Sequence, residues 1–490
     1  MPGSPWRRSA RTGAALAASF ELSDRCRGFA VDTLRSLIGL APGPAREAAR
    51  GWLRAGSRWA AAYEELTGAA LATEPVAGRT GSALRPRVLG AEDALDAAET
   101  EVARRAPALL MRHEGRRGTL LEEVQAALPT DAALLMYESF DQELLVWSVE
   151  RDRVRHRELP VRARDLACDV RAFHTACATG GVDRAGASAL AERLLGPVAA
   201  AVDSGQRLYV VPHGALSLLP FHVLPHRGRP LGESRTVSYL PSAALLTLPE
   251  AGQRPRPGAA ALLVGDPAYA PERGLARLPG TATEVAAVAR VLGTAPPLTG
   301  EGATARNVAA AAAEGASVLH FATHGLVDEH GPNLGRVVLA GHDQLTVGDL
   351  MGLDLTEALV VLSACHTGRG TATIGGDVVG LTRAAVTAGA RHVVVSLWPV
   401  DDEAGCLTMV ALYERLAEGR GVAEALAAAQ RWVRGLGEAG RHAAYEALRA
   451  REGTAAAAPG ARDGQVPPFA REEDRDNLPY HWAPFVHIGG

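Results

Sequence analysis

The chain has 490 residues, 47% of them hydrophobic, and 51 basic against 55 acidic side chains give a formal net charge of -4. That length exceeds one domain's usual core and the apolar content suffices for two or three, while the charge gives no reason to invoke nucleic acid or an anionic membrane. Every basic residue is arginine, the five cysteines lack the even, regular spacing of a disulfide framework, and no apolar run approaches the ~18 residues of a membrane span. The composition is that of a soluble, cytoplasmic enzyme.

Near the amino terminus, Gly13-Ala14-Ala15-Leu16-Ala17-Ala18 follows Arg7-Arg8 and Arg11. It is too short for the core of an export signal and reads as the start of a helix. Residues 1–115 form a helical region: apolar residues recur at three and four from Phe20 to Leu40 and again at Trp52, Leu53, Trp59 and Tyr63, with Pro42-Gly43-Pro44 between the two helices. From residue 116 the pattern changes. Ala132 to Phe140 and Glu143 to Val149 are β-runs joined at Asp141-Gln142, a hairpin signal. Strands at 208–211 and 237–239 and helices near 162–178 and 186–203 complete a first α/β half, 116–255, which Arg254-Pro255-Arg256-Pro257-Gly258 closes as a linker.

The second half, 256–490, opens with Ala261-Leu262-Leu263-Val264-Gly265 and a helix over 283–292. Three further apolar runs follow: Val318 to Ala322, Leu359 to Leu362, and His392 to Leu397. Alternation of such strands with helices predicts right-handed crossovers and a mostly parallel sheet with helices on both faces. Helices at about 403–418 and 421–435 precede a loop over 452–476, and Phe485-Val486-His487-Ile488 returns as a closing strand.

Two of these strands end in small-residue turns that carry reactive groups: Thr323-His324-Gly325 and Ser363-Ala364-Cys365-His366-Thr367-Gly368. Parallel sheets put their chemistry at the carboxyl ends of strands, and a thiol arriving there with an imidazole supplies a nucleophile and its proton-transfer partner. His320 precedes its turn and reads as a structural histidine that hydrogen-bonds within the sheet. A zinc set of His320, His324, Cys365 and His366 fits neither a Cys-x-x-Cys knuckle nor a helical His-Glu-x-x-His, and strand alternation aims the side chains apart. The glycines at 368–376 cannot form a Walker loop in a chain without lysine. They read as an active-site loop before a helix beginning near Asp377. Neither metal nor cofactor is expected.

His-Phe-Ala-Thr-His-Gly at 320–325, Ser-Ala-Cys-His-Thr-Gly at 363–368, Gly389-Ala390 and Ser396-Leu397-Trp398-Pro399-Val400-Asp401-Asp402 together resemble the CHAT family of caspase-like proteases, relatives of separase. The likeness extends through Val211-Pro212-His213-Gly214, Leu219-Pro220-Phe221, Tyr239-Leu240-Pro241-Ser242, Leu278-Pro279-Gly280-Thr281 and Tyr480-His481-Trp482-Ala483-Pro484-Phe485, about three quarters of the chain. The resemblance implies a caspase-like sheet in 256–490, a pseudo-protease half in 116–255, and a tetratricopeptide-like remnant in 1–115. Glu21 to Gly28 is similar to the last helix of such an array, yet no period of about 34 residues recurs.

The same resemblance implies Cys365 as nucleophile, His324 as general acid and base, and main-chain N–H groups of Gly325 and Cys365 for the oxyanion. No third acidic residue is required. Substrate recognition falls to Ser363, Trp398, Asp401 and Asp402. Ser363 stands where metacaspases carry an acid, which removes one reason for an arginine preference, whereas Asp401-Asp402 resembles the acidic pocket segment of separase. Either aspartate also suits the cap of the following helix. The function implied is a regulated cysteine endopeptidase acting on one or a few protein substrates in bacterial defence or cell death, with a protein activator or clipping of the 368–376 or 452–476 loop completing the site. The competing readings are a catalytically silent scaffold that binds partners, and a nucleotide-binding protein. The latter lacks Gly-x-Gly-x-x-Gly, and Pro267 blocks the helix start needed after Val264-Gly265-Asp266.

Overall fold

The computed structural model describes residues 13–26, 43–71, 81–107, 119–248, 260–326, 335–363, 376–453 and 478–490. In the first half, β1 (Ala132–Ser139) and β2 (Leu144–Val149) form an antiparallel hairpin with Leu134 opposite Val149. β3 (Val154–Leu159) adds to its outer edge. Sequence patterning missed β3 because the segment is Val-Arg-His-Arg-Glu-Leu, and such charged residues are what guard an exposed sheet edge. β4 (Arg207–Val211) pairs parallel with β1. A two-residue ribbon, β5 (Pro225–His226) with β6 (Arg229–Pro230), then leads to β7 (Thr236–Tyr239), which is parallel to β4.

The second half supplies β8 (Ala261–Pro267), β9 (Leu298–Gly300) and β10 (Val318–Ala322). A small separate sheet of β11 (Gly325–Leu326), β12 (Arg336–Val338) and β13 (Gln344–Thr346) follows. β14 (Leu359–Leu362), β15 (His392–Ser396) and β16 (Phe485–Gly489) complete the main sheet. Its order is β3-β2-β1-β4-β7-β16-β15-β14-β10-β8-β9, one continuous array of eleven strands. Parallel pairings dominate, and every residue of β10 and β14 is buried, as expected for strands covered on both faces.

The closing strand expected from Phe485 to Ile488 sits at the centre of this sheet. β16 runs antiparallel to β15, with Val394 opposite His487, and parallel to β7, with Ile488 opposite Tyr239. It therefore welds the two halves.

Helices Pro279–Leu292, Asp402–Ala417 and Val422–Glu452 pack as one layer, and Val347–Met351 packs with Gly376–Thr387 in another. Right-handed crossovers place the two layers on opposite faces. Gly265 of β8 permits the first layer to approach closely, since a Cβ there would lie 2.7 Å from Val285 and 2.8 Å from the Thr281 carbonyl.

Helix Gly13–Cys26 is built into the first half. Phe20 is fully buried edge-on to Trp147, with ring centroids 6.4 Å apart. Ser23 Oγ donates to Glu138 at 2.7 Å, and Asp24 accepts from Ser242 Oγ at 2.7 Å and the Ala243 amide at 2.6 Å. The rest of the helical run expected up to Leu40 lies outside the described residues. Helices Pro44–Leu71 and Gly81–Arg105 pack along each other as a hairpin.

Because β16 joins both halves, damage to it must be felt by both. Phe485→Ala, at a residue 1% exposed, is expected to cost about 3–5 kcal/mol. The Trp147 region and the second half should still melt in one shared transition, read by hydrogen exchange; independent melting of the halves would refute the weld.

Candidate active site

The His324 turn sits at the carboxyl end of β10. Its ring is 1% exposed, and Nε2 lies 2.8 Å from the Ala276 carbonyl oxygen. A carbonyl can only accept, so Nε2 carries the hydrogen and Nδ1 is the acceptor nitrogen of the neutral ring. Tyr269 packs on the imidazole with centroids 5.0 Å apart. Thr323 Oγ1 donates to the Val338 carbonyl at 2.7 Å and accepts from the Tyr269 hydroxyl at 2.8 Å. Burial pushes Tyr269 up to about 12, so this hydroxyl stays a donor at neutral pH.

Ala276 is in turn held by an ion pair. Asp266, the penultimate residue of β8, has φ at 41°, a left-handed conformation, and its carboxylate takes Arg277 Nε at 2.8 Å and Nη2 at 2.5 Å, then the Leu278 amide at 2.8 Å. Asp266 and Arg277 therefore fix the short segment whose carbonyl orients His324. Sequence reading treated Asp266 only as part of a failed nucleotide motif; an acidic residue at the carboxyl end of a buried strand was the signal available.

Gly325 opens β11 opposite Val337, and the Val338 amide donates to the His324 carbonyl at 2.9 Å. This is the spacing of a non-hydrogen-bonded antiparallel pair, so the ladder does not use the Gly325 N–H. The donor expected for an oxyanion is left outside the sheet's own bonding.

β14 lies directly beside β10, with Phe321 opposite Leu362. His324 and Cys365 thus stand at equal sequence offsets beyond the last paired residues of neighbouring parallel strands. Ser363, immediately after β14, is 4% exposed. Cys365, His366 and the 368–375 glycine-rich loop lie outside the described residues; helix Gly376–Thr387 begins one residue before the expected Asp377.

His320 requires a correction. Its partners are on helices rather than within the sheet: Nε2 donates to Glu284 Oε1 at 2.8 Å and Nδ1 accepts from the Tyr413 hydroxyl at 3.1 Å. A fully buried imidazole needs both nitrogens satisfied, and adjacent strands have already spent their backbone groups on one another. The ring pins Pro279–Leu292 and Asp402–Ala417 onto the sheet.

The two aspartates after β15 diverge. Asp401 caps helix Asp402–Ala417 by accepting from the Ala404 amide at 2.9 Å, and its other oxygen lies 2.7 Å from His481 Nδ1. Burial opposes its ionisation, but His481, the Ala404 amide and the Arg441 charge outweigh it and hold the carboxyl below the usual range. Asp402 behaves oppositely. Burial first, then the charges of Glu284, Asp401, Glu403 and Asp266, push it up to about 6. It lies against Gly280, where no Cβ could fit. Trp398 is placed in the core, with its indole N–H donating to the Tyr480 carbonyl at 3.2 Å and its ring edge-on to His174 at 5.7 Å.

A cavity of about 1050 Å³ lies at the far end of the sheet among Arg207, Tyr209, Ser238, Arg391, His392 and His487. Its polar groups answer one another. Arg207 meets Glu424 at 3.2 Å, while His487 bonds Ser238 at 2.9 Å and His392 at 3.0 Å. Among the described residues, no group of three or more His, Cys, Asp or Glu side chains could hold a metal, and no helix is long and apolar enough to cross a membrane.

A mostly parallel sheet flanked by helices, with an oriented histidine at the carboxyl end of an interior strand, defines a mixed α/β protein. The CHAT domain family matches residues 184–490, and the chain belongs to that family. Tetratricopeptide repeat protein 28 of Mus musculus is 40% identical over 89 residues, and its Homo sapiens counterpart 39% over 89 residues; each match takes 18% of this chain and spans 4% of the relative's length. Among solved structures, the Saccharomyces cerevisiae separase–securin complex aligns with a TM-score of 0.44 at 9% identity, over 71% of this chain and 33% of that one. The Arg-specific cysteine proteinase gingipain R aligns with a TM-score of 0.34 at 10% identity, over 66% and 74%.

The raised Asp402 value has a thermodynamic consequence. Between its ordinary 3.8 and about 6, the unfolded chain has released a proton that the folded protein still holds, so stability falls as pH rises through that window. Asp402→Asn, which cannot ionise, is expected to melt above wild type at about pH 7.5, with the gap shrinking as pH is lowered through that range. Equal melting temperatures throughout would contradict the desolvated carboxylate.

Proposed function

We propose that the protein is a caspase-like cysteine endopeptidase with Cys365 as nucleophile and His324 as general acid and base. The observation that carries the reading is the bond from His324 Nε2 to the Ala276 carbonyl, which sets one tautomer at the carboxyl end of the strand beside the Cys365 strand. In this reaction the Cys365 thiolate attacks the scissile carbonyl, with the thiol proton held by His324. The imidazolium then gives its proton to the departing amine. Water attacks the resulting thioester, loses a proton to His324, and frees the carboxylate and the thiol. The Gly325 N–H, together with that of Cys365, is suited to the developing oxyanion.

Substrate choice rests on Asp402 more than Asp401. Asp401 already spends both oxygens on a helix cap and His481, whereas Asp402 lies in a patch of acidic neighbours that a cation would relieve. An arginine side chain at the cleavage site has that charge and can engage a carboxylate bidentately. Ser363 stays in the proposed recognition set by its place two residues before Cys365, whereas the core partners of Trp398 leave it a supporting position behind the site. The setting that family resemblance suggests is cleavage of one or a few protein substrates in the cytoplasm, in defence or cell death, under a protein activator.

The test is mapping of new amino termini after incubating a protein extract with wild type and with Cys365→Ala. Termini that depend on Cys365 and share a preceding arginine are expected; identical profiles would leave a partner-binding scaffold as the reading. With an arginyl peptide, Asp402→Asn is expected to lower kcat/KM at least tenfold. Wild-type rates should also fall as pH drops through about 6, the value of Asp402. An unchanged arginine preference in the variant would remove Asp402 from the pocket.

A further inference from the structure

Helix Pro44–Leu71 carries Arg46, Arg50, Arg54 and Arg58, a four-residue spacing that lines them along one face. All four reach the same short stretch of the second half. Arg50 Nη2 lies 2.6 Å from Asp354 Oδ1 and 3.2 Å from Thr356 Oγ1, and Arg46 stands 3.6 Å from the other Asp354 oxygen. Arg54 donates to the Gly352 carbonyl at 3.0 Å, and Arg58 to Asp349 at 2.9 Å. The Arg50 side chain is 7% exposed, against 60% for Arg58, so the grip centres on Arg50 and Asp354. Gly348 and Gly352 make room for it: a Cβ on Gly348 would press on Arg58 Cγ at 3.3 Å, and one on Gly352 would collide with the Arg54 guanidinium.

The gripped stretch connects the two site turns. On one side, Thr346 ends β13 and caps helix Val347–Met351 in a reciprocal box with Asp349, and β13 is tied through β12 to β11, which starts at Gly325. On the other side, the amides of Leu355 and Glu357 bond the carbonyls of Ala388 and Gly389, and β14 begins at Leu359. The same short helix packs on Gly376–Thr387, the first described helix after the Cys365 loop.

The docking is polar and incompletely satisfied. Ala49, Val102 and Ala106 of the hairpin region form a cluster of their own with Trp52 and Leu53, separate from the main core. Among the described residues, Nε of Arg50 and of Arg54 is buried without a hydrogen-bond partner. An attachment with little shared apolar core and orphaned donors is one that can release.

We propose that the helical hairpin of Pro44–Leu71 and Gly81–Arg105 is a detachable clamp on the candidate active site, which when docked through Arg50 on Asp354 holds the 347–358 connection and thereby arms both the His324 turn and the Cys365 strand. The clamp is regulation of the site described above and rests on that reading for its effect on cleavage. Its structural effect stands apart. Burial resists ionisation of Asp354, but Arg50 and Thr356 prevail and hold it down to about 2, so the pair is charged across the physiological range.

The experiment compares full-length wild type, Arg50→Glu, Asp354→Arg, the double exchange, and the milder Asp354→Asn. Three readouts are hydrogen exchange over 344–358, the rate of Cys365 alkylation by iodoacetamide, and arginyl-peptide cleavage. The single charge reversals are expected to lose at least tenfold in protection over 344–358 and to change Cys365 alkylation severalfold. Cleavage should fall at least tenfold in kcat with little change in KM, the double exchange should restore all three, and Asp354→Asn should lie between. Faster cleavage in the single variants would show an inhibitory cap and overturn the clamp, as would unchanged exchange and alkylation. Should wild type cleave nothing, exchange and alkylation still decide the clamp while the protease reading alone fails. Should the charge reversals not fold, Asp354→Asn decides by the same readouts.

Discussion

Main-chain pairing of β16 on both its edges is the constraint on which the structure depends. Without it, β7 and β15 would each present a row of open N–H and C=O groups, and the two halves would be separate sheets with exposed edges. With it, eleven strands share one hydrogen-bonded array. The strands that bear the candidate chemistry lie inside that array, covered on both faces, so their carboxyl ends hold their relative positions to within the play of a packed core.

On that frame, a chain of polar contacts turns a rigid sheet into an oriented site. Asp266 holds Arg277 and Leu278, the intervening segment presents the Ala276 carbonyl, and that carbonyl sets the tautomer of His324. Tyr269 and Thr323 brace the same turn from the other side. His320, one turn-length earlier on the same strand, has both nitrogens committed to buried helix partners. The two histidines therefore differ in what they hold: His320 anchors helices to the sheet, and His324, in the turn just past the strand, is bound to the Ala276 carbonyl. The difference lies in their partners and not in their burial, since both rings are almost fully covered.

The two aspartates that follow β15 illustrate how environment separates neighbours of the same type. Asp401 is rewarded for its charge by a helix N-terminus and a histidine, while Asp402 is surrounded by other carboxylates and desolvation. A capping carboxylate and a desolvated one are thus adjacent in sequence but distinct in chemistry. The hairpin's arginines apply the same electrostatics to the connection between the two site turns.

Much of this was legible in the sequence. Short Val- and Leu-rich runs bounded by glycine marked β8, β10, β14 and β15, the Asp141-Gln142 turn marked the first hairpin, and the position of a Cys and a His just past apolar strands marked the candidate site. Those features are local: side-chain type and periodicity decide them within a few residues. The Ala276 carbonyl, the central place of β16, the charged edge strand β3 and the helix partners of His320 were not legible. A backbone carbonyl has no side-chain signature, a strand's neighbours are set by global pairing, and charged edge residues mask a strand's alternation. The sequence by itself determined which reactive groups stand at strand ends and that a mostly parallel sheet would deliver them. Only the tertiary structure decided which groups face them, because those contacts join segments as far apart as Arg50 and Asp354, or Tyr239 and Ile488, and long-range pairing is a property of the whole packed chain.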